Sequence, residues 1–215
     1  MTLRQLDLCS SRSQPYTGDR HMLVHGYRLP VDYFDVVADA NGFATDGALF
    51  RFFGINTNLG FGDLQDQNER PWIAEYGSLC ARLVFIAEDV FGDRYAFAFK
   101  PEDDAAMSVV KFYCEGGEIE VLPFLHLSDF LNDSVLRSEP IAFDYKLARA
   151  ALEAGIRPGL SEHLAFKLPL IAGGEYSLEN LGIETSEMHL GVLGQLTSQM
   201  QSLPTGAKIV RFRAT

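Results

Sequence analysis

One stretch constrains this chain more than any other. Leu83-Val84-Phe85-Ile86-Ala87 is a continuous apolar run, and after a short turn Tyr95, Phe97 and Phe99 alternate with Ala96 and Ala98. The first pattern is that of a strand covered on both faces, and the second has the period of two that a strand imposes. Gly92-Asp93 supplies turn chemistry between them, so residues 88–94 read as a hairpin loop. A second hairpin follows, with strands at 108–113 and 118–122 around Gly116-Gly117. In it Ile119 and Val121 are expected inward, with Glu118 and Glu120 outward.

Helices flank these strands. Pro30 suits a first helical position, and Val31, Phe34, Val37 and Ala38 then recur on one face until Asn41-Gly42 ends the element. A strand is expected at 49–53, a Gly, Asn, Asp and Gln loop at 54–70, and a short helix from Pro71 carrying Trp72, Ile73 and Tyr76. Ser128 is expected to cap a short helix running to Asp133. Later come a helix over 144–153, an apolar strand over 163–171, a turn at Gly173-Gly174 and a longer helix from Ser186. Its expected stripe is Met188, Val192, Leu193, Leu196 and Met200, and a strand at 208–212 closes the chain. Asn180 is read as a side chain tying down the loop before the long helix. Residues 1–18, rich in Ser, Pro and Gly, read as a loose arm. Runs of meandering strands between helices predict an α+β fold with a mainly antiparallel sheet.

Charge divides the chain. Of 215 residues, the first 140 hold 22 acidic and 11 basic side chains, whereas the remainder holds seven of each. The composition shift near Ser138-Glu139-Pro140 predicts a domain over 15–140 and an extension over 141–215. The stripe on the long helix needs cover, so the extension should pack on the sheet. A net charge of -11 counts against sequence-independent binding to nucleic acid or anionic membrane and favours a basic partner. No apolar stretch approaches the ~20 residues of a membrane span. Cys9, Cys80 and Cys114 are odd in number and widely spaced, which suggests reduced thiols and a cytoplasmic setting.

Catalytic patterns are weak. His21 and His25 have helical spacing but lack a third ligand at a recognisable distance. Cys80, His126 and Asp129 are the residue types of a thiol triad, without a signature around any of them. Gly60-Phe61-Gly62 lacks the strand and third glycine of a phosphate loop, and Asp63 and Asp66 would repel phosphate. Glu88-Asp89 is better read as a solvated turn than as a catalytic carboxylate pair. No catalytic residue, metal or cofactor is expected. The acid-rich loops offer more: Asp63, Asp66, Glu69, Glu88, Asp89, Asp103 and Asp104 are expected on one face, with Trp72 and Tyr76 as aromatic anchors. Such a face would dock a basic protein.

Leu29-Pro30, the following helix, Asn41-Gly42 and the hairpin from Leu83 to Phe97 resemble the opening motifs of the SUKH superfamily, also called the Smi–Knr family. The resemblance spans about residues 29–133, and Phe91 departs from it where many members carry a further glycine. Pro169-Leu170-Ile171-Ala172-Gly173-Gly174-Glu175-Tyr176, Glu179-Asn180-Leu181, His189 and Gly194-Gln195 are similar to the C-terminal domain of certain type VI secretion immunity proteins. That match covers about residues 143–213. Together these resemblances imply a bacterial cytoplasmic protein of α+β fold that binds a protein toxin, often a nuclease, and blocks it without catalysis. A regulatory or scaffold module of the same fold is the alternative, and an enzyme is the third reading.

Overall fold

The computed structural model describes residues 3–100 and 103–203, apart from the side chains of 103–107. The expected strand at 208–212 and the side chains of Asp103 and Asp104 lie outside the described residues.

The chain opens with strand β1 (Cys9–Arg12), a small hairpin of β2 (Leu23–Val24) and β3 (Tyr27–Arg28), and helix α1 (Val31–Asp39). Strands β4 (Phe43–Thr45) and β5 (Phe50–Phe52) follow, then short helices α2 (Leu64–Asn68) and α3 (Ile73–Tyr76). A meander comes next: β6 (Leu83–Asp89), β7 (Arg94–Lys100), β8 (Asp103–Tyr113) and β9 (Glu118–Val121). Helix α4 (Leu127–Phe130) runs into a π turn, Leu131–Val135. The last part holds α5 (Tyr145–Glu153), β10 (Glu162–Phe166), β11 (Leu181–Thr185) and α6 (Ser186–Gln201).

Seven strands form one sheet in the order β1-β4-β5-β6-β7-β8-β9. Every neighbouring pair in it is antiparallel. The α+β expectation is met. The arm expected at the N-terminus is instead an edge strand, because Cys9–Arg12 pairs with Phe43–Thr45. Its sequence, Cys-Ser-Ser-Arg, has no apolar alternation to announce a strand.

Alternation places Phe50 and Phe52 on one face and Arg51 on the other. On the first face α1 inserts Tyr33, whose hydroxyl donates to the carbonyl of Phe53 at 2.6 Å, and whose ring meets Phe34, Phe52 and Phe97. Phe43, Phe50, Tyr95 and Phe130 extend this aromatic layer. The buried stripe of α1 is Tyr33, Phe34, Val36 and Val37, whereas Val31 is 67% exposed and Ala38 is also exposed. The helix is therefore rotated from the expected register so that Tyr33 reaches the sheet. Strand β9 departs further: Ile119 and Val121 are exposed at 46% and 65%, as befits the sheet's last strand with nothing among the described residues laid over it. Ser128 is buried and does not cap α4; Asp32 accepts the Leu127 N–H at 3.2 Å instead.

Two asparagines stand in for strand neighbours in the region read as loop. Asn68 accepts from the Phe85 N–H and donates to the Phe85 carbonyl, both at 2.8 Å. Asn41 does the same to Ile55, at 2.7 and 2.8 Å. Each satisfies backbone groups where the ladder stops.

Residues 141–203 pack on the sheet as expected. Leu164 donates its N–H to the Val90 carbonyl at 2.8 Å, and Thr197 accepts from the Gly116 N–H at 3.2 Å. Helix α6 lies against α3 so closely that a Cβ on Gly194 would sit 2.6 Å from the Cβ of Glu75. The buried side of α6 is His189, Leu190, Leu193, Gly194, Leu196 and Thr197; Met188 is exposed, and Val192 and Met200 are half-buried. Asn180 ties its loop as expected, accepting from Leu168 N–H at 3.0 Å and donating to the carbonyls of Leu168 and Glu175. A Cβ on Gly174 would meet the Leu168 carbonyl oxygen at 1.8 Å, so this turn requires glycine.

Candidate functional site: a charged junction and an acidic cleft

Arg51, Glu88 and Arg94 stand directly opposite one another on β5, β6 and β7. The register makes them a row on the face that Leu160, Glu162 and His163 cover. Glu88 lies 3.0 Å from Arg51 and 2.7 Å from Arg94, all of them buried. Arg51 also donates to the carbonyls of Leu160 and Glu162, both at 2.8 Å. Burial alone would raise the Glu88 carboxyl, but Arg94 and Arg51 hold it well below the usual carboxylate range. Arg94 reaches Gln67 and lies 4.8 Å from the Trp72 ring centre and 5.4 Å from that of Phe53. These rings face a cation whose Nε has no hydrogen-bond partner among the described residues.

This arrangement corrects the expected acidic face. Glu88 and Asp89 belong to strand β6, at 1% and 0% exposure, and are not a solvated turn. Trp72 and Tyr76 are core residues at 2% and 4%, with Tyr76 donating to the Cys114 carbonyl at 2.7 Å. None of these four is available to dock a partner. Asp63 and Asp66 form a capping box at the start of α2, and Asp66 and Glu69 are exposed there. The expected face is thus not assembled as read, because the strand register draws Glu88 and Asp89 inside and α3 buries Tyr76 along with Trp72.

The same junction holds His163, Ser186 and His189. Ser186 Oγ and Glu88 Oε2 both approach His163 Nε2, at 3.2 and 3.3 Å, while His163 Nδ1 faces His189 Nδ1 at 3.2 Å. Burial lowers both imidazoles, His189 to about 3, aided there by His163. Two neutral rings beside a carboxylate assign the His163 proton to Nε2, with Nδ1 accepting from His189. A serine nucleophile needs a free lone pair on the nitrogen it faces and the carboxylate on the other one. Here hydroxyl and carboxylate share one nitrogen, so Ser186 is held and not activated. The other weak patterns also fall apart. Cys80 is buried with its thiol pushed up to about 12 by desolvation, while His126 pairs with Asp32 at 3.2 Å. His25 Nε2 meets the Asn68 carbonyl at 2.7 Å. Among the described residues, no group of three or more His, Cys, Asp or Glu is arranged to hold a metal.

His189 also borders an open cleft of about 850 Å³ between the end of the sheet and residues 141–201. Its walls include Phe91, Phe166 and Tyr176; Phe91 and Phe166 stack at 6.4 Å, and Phe166 meets Tyr176 at 5.5 Å. Four carboxylates line it: Asp93, Glu115, Glu118 and Asp144. Against them, Lys111 is the one Lys or Arg among the described lining residues. Lys111 is shared between Asp89 at 3.2 Å and Asp93 at 3.1 Å, and Asp89 lies fully buried behind it. Burial and then the Asp89 charge push the Asp93 carboxyl up to about 7, against the pull of Lys111. Glu115 accepts the Ile171 N–H at 2.8 Å and is raised by burial. Asp144 caps α5 through the Leu147 N–H and accepts from Tyr176 Oη at 2.6 Å; these hydrogen bonds overcome burial and lower it.

Sequence reasoning did not find this cleft, since Asp144 and Tyr176 are 32 residues apart and Ile171 and Glu115 are 56 apart. A signal for the junction was present: Arg51 between Phe50 and Phe52 must be buried with a partner if the strand is central.

No protein-family model matches the chain, and no curated protein matches it. Among solved structures the fold is similar to that of Atu4351 from Agrobacterium tumefaciens. The likeness has a TM-score of 0.51 at 13% sequence identity, over 78% of this chain and 76% of that chain. Among the described residues, no helix is long and apolar enough to cross a membrane.

Proposed function

We propose that this chain is a bacterial cytoplasmic immunity protein that binds a basic protein toxin and neutralises it by occlusion, without turnover. The observation that carries the proposal is the cleft, which joins both parts of the chain and, among the described residues, presents four carboxylates against one shared lysine. A formal net charge of -11 adds long-range attraction for a basic partner. The ordered motifs that resemble the SUKH superfamily and the C-terminal domain of type VI secretion immunity proteins support the same role. The wiring of Ser186 and His163 supports binding over catalysis. In this reading the acidic loops around Asp66 and Glu69 contribute steering, and the cleft provides the contact.

Co-expression with the product of the neighbouring gene tests this. The expected result is a stable complex that abolishes the toxin's activity and whose association rate falls as salt rises. A neighbouring product that stays active and uncomplexed would overturn it.

A further inference from the structure

The cleft's charge balance points to a definite occupant. Lys111 is already committed to Asp89 and Asp93, so among the described residues the lining carboxylates outnumber the positive charge available to them. Glu115 and Asp144 receive hydrogen bonds from Ile171 N–H and Tyr176 Oη, which orient them but bring no charge. Beside them stand the flat ring surfaces of Phe166 and Tyr176, with Ile171 and Leu193 completing an apolar wall. A planar cation suits this combination better than a compact ammonium. A guanidinium stacks on an aromatic face while its fixed fork of donors engages carboxylates.

We infer that the cleft takes an arginine side chain of the partner protein, with a neighbouring apolar residue of that partner against the ring wall. The inference rests on the proposed binding role and adds the chemistry of the contact. The guanidinium lies against Phe166 or Tyr176 and donates to Asp144 and Glu115. The apolar neighbour fills the space toward Leu193.

Three short peptides serve as probes: acetyl-Phe-Arg-amide, acetyl-Phe-Gln-amide and free arginine amide. Backbone NMR shifts of the intact protein read where each binds. The arginine dipeptide is expected to shift residues of the cleft wall, among them Glu115, Asp144 and Ile171. The glutamine dipeptide should bind at least about tenfold more weakly, a difference within the range of a charge-assisted hydrogen-bond pair. Glu115→Gln combined with Asp144→Asn should remove that preference; asparagine retains the helix cap, so the fold is kept. Equal binding of both dipeptides would overturn the inference, as would shifts lying outside the cleft or no shifts at all. Free arginine amide binding as tightly as the dipeptide would also overturn it, since the occupant would then be a small cation and not a protein segment. The parent reading is tested separately: if the double variant captures the toxin as tightly as the native chain, this contact is wrong and the immunity role stands.

Discussion

The two faces of the central sheet are closed by different physics. On one, α1 and α4 lay Tyr33 and Phe130 against Phe50 and Phe52, and the contact is mainly aromatic packing, with the buried Asp89–Lys111 pair at its end. On the other, residues 160–163 settle over the Arg51–Glu88–Arg94 row through the carbonyls of Leu160 and Glu162 and the His163 ring. Aromatic packing is indifferent to pH and tolerates small shifts. A buried ion row tolerates neither a missing charge nor an added proton, because each ion has given up its water. The charged face is therefore where specificity of docking is concentrated, and the aromatic face is where the sheet is held together.

Placing a third cation in the row should break the comparison most severely. Glu88→Lys sets three positive side chains together without an anion, and the expected loss exceeds the about 3–5 kcal/mol of breaking a buried pair. A cooperative urea transition near that of the native chain would show that the row is hydrated and unimportant. On the aromatic side, Phe34→Ala should cost about 3–5 kcal/mol, read as a lower urea midpoint with an unchanged slope. That loss should be the same at pH 5 and pH 8, which distinguishes it from any change in the row.

Acid should sharpen the difference. His189 titrates at about 3 in the folded protein against an ordinary value of 6.5. Its folded form refuses a proton that the unfolded chain accepts, so its stability contribution is complete above pH 6.5 and lost as pH falls toward 3. The expected slope is about 1.4 kcal/mol per pH unit from this group. Glu88, depressed by its arginines, adds a loss in the same direction once pH falls below the ordinary carboxylate value of 4.5. Unfolding midpoints measured from pH 7.5 down to 4 test this. Asp93, raised to about 7, gains a proton on folding over much of this range and opposes that slope, so the measurement is made in Asp93→Asn, where a flat profile would mean that the imidazoles are open to solvent. The smallest effect is expected on β9, which belongs to neither closed face: Val121→Thr should change stability by less than about 0.5 kcal/mol. A larger loss would mean that something covers that strand.

What the sequence made legible follows from which interactions are local. The hairpin of β6 and β7, helix α1, helices α5 and α6 and the Asn180 loop were all readable, since periodicity and capping act within a few residues. Strand β1 was not, because a polar edge strand is defined by its neighbour Phe43–Thr45 rather than by its own side chains. Glu88 and Asp89 looked like a solvated turn for the same reason. Nothing near them in sequence shows that Arg51 and Lys111 will arrive beside them. Trp72 was read as an anchor for a partner, yet its partner is Arg94 of the same chain. The cleft was invisible because each wall comes from a different segment.

The charged row has a consequence for synthesis. Arg51 and the carbonyl of Leu160 are separated by 109 residues, so the meander leaves the ribosome well before its cover does. During that interval an uncovered row of leucines would be adhesive, and partly made chains with such surfaces aggregate. Arg51, Glu88 and Arg94 remain hydrated while they wait. The unfinished sheet carries its own protection against neighbours, and surrenders it when the last segment lands.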